Sequence, residues 1–337
     1  MNMTENEKQL HKTVLPKEAI EALNIKKGNI IVDATLGAGG HTLKIIEAVG
    51  TEGKVIAFDL DRQAIQEFIR RNKFTTKKKK EKDEIYIIKE KPLILVHNNF
   101  KNINKVIRGL YSTGDLNKDQ VNGVLADLGW RIEQMQNKDY GMSFQTEAPL
   151  DMRFNLESDN LTAQKIINEW SIKELENIFR ELGEESFAKQ IARAIVTERK
   201  NKYIETTKEL ADLIGMIKPQ GNSRLNPATK VFQALRIAVN EEFSNLNKFL
   251  ESSFDILENK GRLAIISFHS LEDRLIKNFF RTKARGCVCP KEIPVCVCGQ
   301  ERKIKIISSK AIKASKEELR LNPRARSASL RIAQKIK

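Results

Sequence analysis

Short apolar runs alternate with amphipathic segments along the first part of the chain. Four of these runs are predicted to be buried strands, over residues 29–33, 54–59, 93–97 and 121–127. Between them, residues 43–49 and 62–71 have the three-to-four-residue periodicity of helices. Uninterrupted apolar strands that alternate with helices are typical of a parallel sheet covered on both faces. The pattern therefore predicts an α/β fold.

A helical pattern replaces this alternation in the middle of the chain. Helices are predicted over residues 161–170, 172–182, 184–199 and 206–217. A long amphipathic helix, with apolar residues from Phe232 to Leu250 at steps of three and four, follows them. Strand patterns return at residues 262–268, 303–307 and 329–334. We therefore expect an α/β sheet that is interrupted by an all-helical insertion.

The charge of the chain points to a polyanionic partner. The 337 residues include 59 Lys or Arg and 44 Asp or Glu, a net charge of +15, and residues 301–337 alone hold twelve Lys or Arg against three acidic residues. Such an excess favours nucleic acid as the partner. The lysine-rich run Lys77–Lys82 is predicted instead to be a solvated loop, because it offers no aromatic ring for base stacking.

Two further features bear on location. No apolar stretch approaches the roughly 18–20 residues that a membrane span requires, so a transmembrane protein is excluded. The N-terminal residues contain no apolar signal segment, which predicts a cytoplasmic protein. The sequence does not set the oligomeric state, and a homodimer is one option.

A glycine-rich turn is the first candidate for chemistry. Residues 33–42, DATLGAGGHT, place a strand-ending aspartate before a glycine bend and a helix. The dinucleotide fingerprint would need glycine where Thr42 stands, whereas D-x-x-x-G-x-G matches the first motif of S-adenosylmethionine-dependent methyltransferases. Asp59 ends the second strand, where a carboxylate can accept hydrogen bonds from ribose hydroxyls. Either feature alone is also common in simple turns and caps, but together they favour a nucleoside cofactor.

Several longer blocks resemble one family. They are residues 11–15, 33–42, 149–153, 232–240, 267–274 and 322–327, together with Phe144. In this order and spacing the chain, from His11 to about Leu330, resembles the bacterial ribosomal RNA small-subunit methyltransferase H (MraW) family. The resemblance implies S-adenosylmethionine-dependent N4-methylation of a cytidine at the P site of 16S rRNA, with 16S rRNA or the small subunit as partner.

The same resemblance implies a domain organisation and a set of cofactor contacts. It implies a class I, Rossmann-like methyltransferase domain formed by residues 11–140 and 226–337, the second part with a basic C-terminal segment, and a helical insertion over residues 141–225. The implied cofactor contacts are Gly39, Gly40, His41, Asp59, Phe100, Asp127 and Gln134. Trp130 and Arg131 stand where the family has smaller residues, which keeps a catalytically inactive RNA-binding relative as an alternative. A NAD-dependent oxidoreductase is a more distant alternative.

Two residues are candidates for the reaction itself. The exocyclic amine of cytosine is a poor nucleophile, and a positioned hydrogen-bond acceptor would help it. Asp127, at the end of the fourth strand, is predicted to contact this amine or the cofactor. His269, after a later strand, is predicted to contact the nucleotide or to accept the amine proton. The alternative for His269 is that it only lies at the start of a helix whose capping box is Ser270–Asp273.

Two sets of residues complete the predictions. The arginines predicted to contact RNA are Arg153, Arg236, Arg324 and Arg326. For Arg236, a solvent-facing or ion-paired side chain on its helix is an equal alternative. The chain's four cysteines, Cys287, Cys289, Cys296 and Cys298, form a C-x-C-x₆-C-x-C pattern. Four thiols at this spacing predict a structural Zn²⁺ site, and the alternative is a loop of reduced thiols.

Overall fold

A computed structural model describes residues 13–80, 84–129, 137–156, 161–218, 226–286, 289, 298 and 301–336. The chain divides into two compact units, one formed by residues 1–129 and 245–337 and the other by residues 130–244. Within the described ranges, no helix is both long enough and apolar enough to span a bilayer.

The first unit is built on a mixed sheet. Its strands are β1 (Ile30–Asp33), β2 (Lys54–Asp59), β3 (Thr76–Lys80), β4 (Glu84–Ile88), β5 (Leu93–His97), β6 (Val121–Asp127), β7 (Leu257–Ser267), β8 (Ile304–Ile306) and β9 (Ser329–Lys335). They lie in the order β3-β4-β5-β2-β1-β6-β7-β9-β8. The central strands β5, β2, β1, β6 and β7 are parallel, whereas β3, β4, β9 and β8 pair antiparallel at the two ends.

Helices cover this sheet and form the second unit. They are α1 (Pro16–Leu23), α2 (Gly40–Val49), α3 (Arg62–Arg71), α4 (Ile103–Ser112), α5 (Ala163–Glu169), α6 (Ile172–Glu181), α7 (Ala188–Glu198), α8 (Thr207–Ile217), α9 (Thr229–Val239), α10 (Glu242–Ile256), α11 (Ser270–Ala284) and α12 (Lys316–Leu321). Helices α5 to α9 belong to the unit of residues 130–244.

Side chains of β1 show why its sequence is apolar throughout. Ile30 and Val32 belong to the hydrophobic cluster on one face of the sheet, and Ile31 belongs to the cluster on the other face. A strand buried on both faces has no polar side, so it shows no alternation. The predicted class I, Rossmann-like methyltransferase sheet is confirmed.

The helical unit has a core of its own. Phe179, Ile191 and Leu235, from α6, α7 and α9, are buried in one cluster. Capping boxes begin α6 at Ser171 and α8 at Thr206, as the polar residues before these helices suggest. The compact unit ends at residue 244 rather than at the predicted 225, because α9 packs into this core.

The lysine-rich run differs from its prediction. It was expected to be a loop, but β3 extends through Lys80 and pairs antiparallel with β4, with Lys77 opposite Ile87. Strand β3 lies at the edge of the sheet and has only one neighbour. Lysines on such a strand discourage pairing with another chain, which is a common feature of sheet edges. Because these lysines lack the apolar pattern of a central strand, β3 could not be predicted from the sequence.

The predicted long helix from Phe232 to Leu250 is also wrong, because α9 and α10 are separate. Glu241, between them, has a left-handed backbone with φ of 48°. The side chain of Asn240 donates to the carbonyl of Met152 and accepts from the N–H of Phe154, each at 2.8 Å. These tertiary hydrogen bonds stabilise the break, which the apolar periodicity does not reveal.

Lys335 caps the C-terminal end of α10. Its ammonium donates to the carbonyls of Phe254 and Leu257 at 3.0 and 2.7 Å and lies 4.8 Å from the centre of the Phe254 ring. Burial lowers the pKa of this lysine. We expect Lys335→Met to reduce the free energy of unfolding by about 1–3 kcal/mol, since hydrogen bonds to a charged group are lost.

Urea-induced unfolding would measure this effect. Lys305→Met, on the adjacent strand β8, is the matched control because Lys305 is exposed. Equal unfolding free energies for the two variants would contradict the proposed role of Lys335 as a helix cap.

Candidate functional site

Three carboxylates lie at one edge of the sheet. Asp33, Asp59 and Asp127 are the last residues of β1, β2 and β6. These strands are parallel neighbours with β1 in the centre, so their carboxyl ends meet. Ligands of open α/β sheets bind in the crevice at this edge. The fold therefore brings together the carboxylates that the strand pattern predicted.

The glycine turn between β1 and α2 depends on its missing side chains. Gly39 has a φ of 81°, in the left-handed region that glycine favours. A Cβ at Gly39 would collide with the ring of Phe68, and a Cβ at Gly40 would collide with the hydroxyl of Thr13. Gly39 is the N-cap residue of α2 and has no side chain with which to cap the helix. Among the described residues, the turn thus leaves N–H groups of the first turn of α2 without a cap from the N-cap side chain.

Asp59 connects this turn to β2. Its Oδ2 accepts a hydrogen bond from the N–H of Gly37, and its Oδ1 accepts one from the N–H of Asp61, both at 2.9 Å. The side chain is half-buried. Because each carboxylate oxygen can accept more than one hydrogen bond, Asp59 retains the capacity to bind ribose hydroxyls.

Asp33 was part of the predicted turn but was not singled out as a functional group. It is fully buried, and it accepts hydrogen bonds from the hydroxyl of Thr42 at 2.6 Å and the N–H of Thr35 at 3.2 Å. Burial raises the pKa of Asp33 to about 6, against the opposing effect of His41. Only the tertiary structure shows this shift, since it arises from removal of the carboxyl from water.

This raised pKa predicts a pH-dependent stability. Asp33 binds its proton more tightly in the folded chain than in the unfolded chain, so its contribution is most favourable below about pH 4 and is lost as the pH rises through about 6. We expect Asp33→Asn to remove a decline of up to about 3 kcal/mol across this range.

Unfolding in urea between pH 4 and pH 7 would test the prediction. Asp119→Asn is the control, because Asp119 is an exposed aspartate before β6. An Asp33→Asn variant whose stability depends on pH like that of the wild type would contradict it.

Asp127 lies next to a histidine of the glycine turn. Its Oδ2 is 3.6 Å from Nε2 of His41, whose side chain is buried. The backbone N–H of Asp127 donates to Oγ1 of Thr35 at 2.7 Å, and its Oδ1 is 3.4 Å from the N–H of Gly129. The predicted cofactor contacts His41 and Asp127 are therefore brought together.

Phe100 follows β5 and is half-buried. Its ring packs edge-to-face on Phe249 of α10, with ring centres 4.9 Å apart. A half-buried ring after a strand at this edge is suited to packing on a purine. Gln134, the remaining predicted cofactor contact, lies outside the described residues, as do Trp130 and Arg131.

His269 is part of a helix cap. It is the N-cap residue of α11: its Nδ1 accepts from the N–H of Glu272 at 3.5 Å, and its Nε2 lies 3.1 Å from a Glu272 carboxylate oxygen. The capping box predicted at Ser270–Asp273 is wrong by one residue, and Asp273 instead pairs with Arg331 at 2.6 Å. His269 is thus itself the cap, a role that the sequence did not predict, while a role in the reaction stays a prediction.

The predicted RNA-binding arginines fall into two groups. Arg153 pairs with Asp151 through two hydrogen bonds of 2.8 and 2.7 Å, and Arg236 pairs with Glu242 at 2.8 and 3.0 Å. For Arg236 this is the ion-paired alternative. Arg324 and Arg326 lie in a 3₁₀ turn that begins at Pro323. Arg324 is half-buried and Arg326 is exposed.

The cysteine pattern is only partly described. Cys289 is half-buried and Cys298 is exposed, whereas Cys287 and Cys296 lie outside the described residues. The zinc site therefore gains no support and stays a prediction.

Comparison with known proteins connects this chain to one family. The family model for MraW methylases matches residues 8–336. Ribosomal RNA small subunit methyltransferase H of Clostridium botulinum (strain Loch Maree / Type A3) is 42% identical over 97% of this chain and 99% of its own length. The protein of the same name from Halothermothrix orenii is 43% identical over 97% of this chain and 98% of its own.

A solved rRNA methylase from Streptococcus thermophilus aligns over 97% of this chain and 99% of its own, at 12% identity. Its TM-score of 0.40 is too low to support a conclusion about this chain. The sequence match over nearly the whole length is decisive: the chain belongs to the MraW methylase family.

Proposed function

We propose that this protein transfers a methyl group from S-adenosylmethionine to N4 of a cytidine at the P site of 16S rRNA. Family membership and the name of relatives about 42% identical over 97% of the chain support a small-subunit rRNA substrate. The observation that carries the proposal is the meeting of Asp59, Asp127 and the glycine turn at the carboxyl edge of the sheet. We propose the cytoplasm as the location of the reaction, in keeping with such a substrate.

The residues at this edge fit the proposed cofactor. Asp59 would accept hydrogen bonds from the ribose hydroxyls, and Phe100 would pack on the adenine. N–H groups of the first turn of α2, which Gly39 leaves without a side-chain cap, are suited to the methionine carboxylate. The cofactor has no pyrophosphate, so Thr42 in place of a third glycine is compatible with it. When bound, it supplies a methyl group already activated by a sulfonium.

Positioning is then the main task of the protein. The lone pair of the cytosine amine is delocalised into the ring, and a hydrogen bond from the amine to the Asp127 carboxylate would localise it. A fixed acceptor also holds the nitrogen in line for attack, which is a large part of what an enzyme contributes to such a transfer. His269 is proposed as a further contact to the nucleotide.

The basic segment is proposed to bind the RNA backbone. Arg326 is exposed in the 3₁₀ turn, where its guanidinium can reach a phosphate, and Arg324 lies in the same turn. Arg153 and Arg236 would have to contact RNA while they keep their carboxylate partners, so we assign them a secondary role.

Calorimetric titration would test the cofactor. We expect S-adenosylmethionine to bind and NAD not to bind, because the family is one of methylases and the turn lacks the dinucleotide fingerprint. Binding of NAD without binding of S-adenosylmethionine would refute the proposal.

Mass spectrometry of 16S rRNA would test the substrate. We expect N4-methylcytidine at the P site to disappear from cells that lack the gene and to return on complementation. Unchanged modification would instead favour the inactive RNA-binding relative. In vitro assays with deproteinised 16S rRNA and with small subunits would identify which of the two is methylated.

A further inference from the structure

His41 is a buried histidine whose side chain has no evident structural task. It is the second residue of α2, and only 4% of it is exposed. Among the described residues, neither ring nitrogen has a hydrogen-bond partner. Buried polar atoms in folded proteins are nearly always paired, so two unpaired nitrogens in one ring call for an explanation.

The neighbouring residue shows that the turn does not need this imidazole. Thr42 donates its hydroxyl to Asp33 at 2.6 Å and so fastens α2 to the end of β1. Gly39 and Gly40 fit against Phe68 and Thr13. Within the described residues, these contacts hold the turn without a hydrogen bond from His41.

His41 has a carboxylate of the proposed reaction centre as a neighbour. Its Nε2 lies 3.6 Å from Oδ2 of Asp127, just beyond hydrogen-bond distance. The backbone of Asp127 is held by Thr35 at 2.7 Å, but the only other contact of its carboxylate in the described structure is with the N–H of Gly129 at 3.4 Å. The main chain of Asp127 is thus fixed, while its carboxylate is held loosely.

We propose that His41 is a positioning residue that acts through Asp127. Its Nε2–H donates to Oδ2 and fixes the rotation of the carboxylate, so that Oδ1 faces the amine of the target base. The inference rests on the proposed function, in which Asp127 contacts that amine. A displacement of about 1 Å in an aligned group costs on the order of a hundredfold in rate. A small decrease in the distance between Nε2 of His41 and Oδ2 of Asp127 therefore has a large effect on the rate of methyl transfer.

Two amide variants distinguish the ring nitrogens. The amide nitrogen of His41→Gln lies near the position of Nε2, whereas that of His41→Asn lies near the position of Nδ1. We expect kcat to fall less than about tenfold for Gln and by about a hundredfold for Asn and for His41→Ala. The affinity for S-adenosylmethionine is measured by calorimetry for all three, because the family resemblance implies a cofactor contact for His41. An equal loss of affinity in the three variants, with kcat higher for Gln than for Asn and Ala, supports the positioning role. Retention of kcat by Asn but not by Gln, or lost cofactor affinity with unchanged kcat, would overturn the proposal.

A double-mutant cycle tests whether His41 acts through Asp127. We expect the combined His41→Ala and Asp127→Asn variant to be no slower than Asp127→Asn alone, because the carboxylate that His41 positions is already absent. Additive losses would show that His41 acts independently and would overturn the proposal.

Histidine NMR provides a readout that does not depend on methyl transfer. The chain contains only 4 histidines, so their ring ¹⁵N signals can be assigned by substitution. We expect Asp127→Asn to shift the ring signals of His41 and to leave those of His97, which bonds to the carbonyl of Leu60 at 3.0 Å, unchanged. Unchanged His41 signals would overturn the pairing. A wild-type protein inactive on 16S rRNA and on small subunits would refute the proposed function, and the NMR result would still stand.

Discussion

Asp127→Asn is expected to reduce methyl transfer to 16S rRNA by at least about a hundredfold, the usual scale for a group that positions or accepts a reacting proton. Asparagine keeps the backbone N–H that donates to Thr35, so the end of β6 should hold its conformation. What it loses is the negative charge and an acceptor oxygen. Single-turnover assays with purified small subunits would measure the loss.

The same variant distinguishes the two roles considered for Asp127. Lost turnover with unchanged affinity for S-adenosylmethionine assigns the carboxylate to the target amine, whereas lost affinity assigns it to the cofactor. Asp119→Asn, an exposed aspartate before the same strand, should behave like the wild type. Full activity of Asp127→Asn with a native melting temperature would remove Asp127 from the mechanism.

Asp59→Ala is expected to weaken S-adenosylmethionine binding by about a hundredfold or more, because two hydrogen bonds to a charged acceptor contribute about 1.5–3 kcal/mol each. The substitution also removes the acceptor for the N–H groups of Gly37 and Asp61, so the glycine turn loses support. Asp59→Asn, which keeps one acceptor oxygen, should lie between Ala and the wild type. Calorimetric titration with S-adenosylmethionine would measure the affinity of each.

Asp61→Asn is the control for this series. Asp61 caps α3 by accepting from the N–H of Gln63 at 2.8 Å, and asparagine caps helices equally well. Its affinity for the cofactor should match that of the wild type. If Asp59→Ala binds as tightly as this control, Asp59 is a structural support of the turn and does not contact the ribose.

The central sheet and the placement of its carboxylates were predictable from local sequence. Asp33, Asp59 and Asp127 each end a short apolar run, and the end of such a run marks the end of a buried strand. Parallel strands place these ends at one edge, so no tertiary contact had to be known. The helical insertion was predictable for the same reason, since its apolar spacing is a local property.

Elements without an apolar signal of their own, or dependent on contacts with distant segments, were not predictable. Strand β3 is a strand because β4 lies beside it, and its lysines carry no apolar signal. The helix break at Asn240 depends on hydrogen bonds to Met152 and Phe154. The roles of side chains that accept several partners, such as His269 as a helix cap, were likewise decided by neighbours that the sequence does not place.

By itself, then, the sequence determined the central strands and the helical insertion, the glycine turn and the carboxylates that end the strands, because each follows from the chemistry of adjacent residues. Only the tertiary structure decided that His41 lies 3.6 Å from Asp127, that Asp33 is fully removed from water, and that Arg236 is paired with Glu242. The first two result from the packing of elements far apart in the chain. The third depends on the helix break at Asn240, which hydrogen bonds to Met152 and Phe154 stabilise. Such packing depends on the whole core at once.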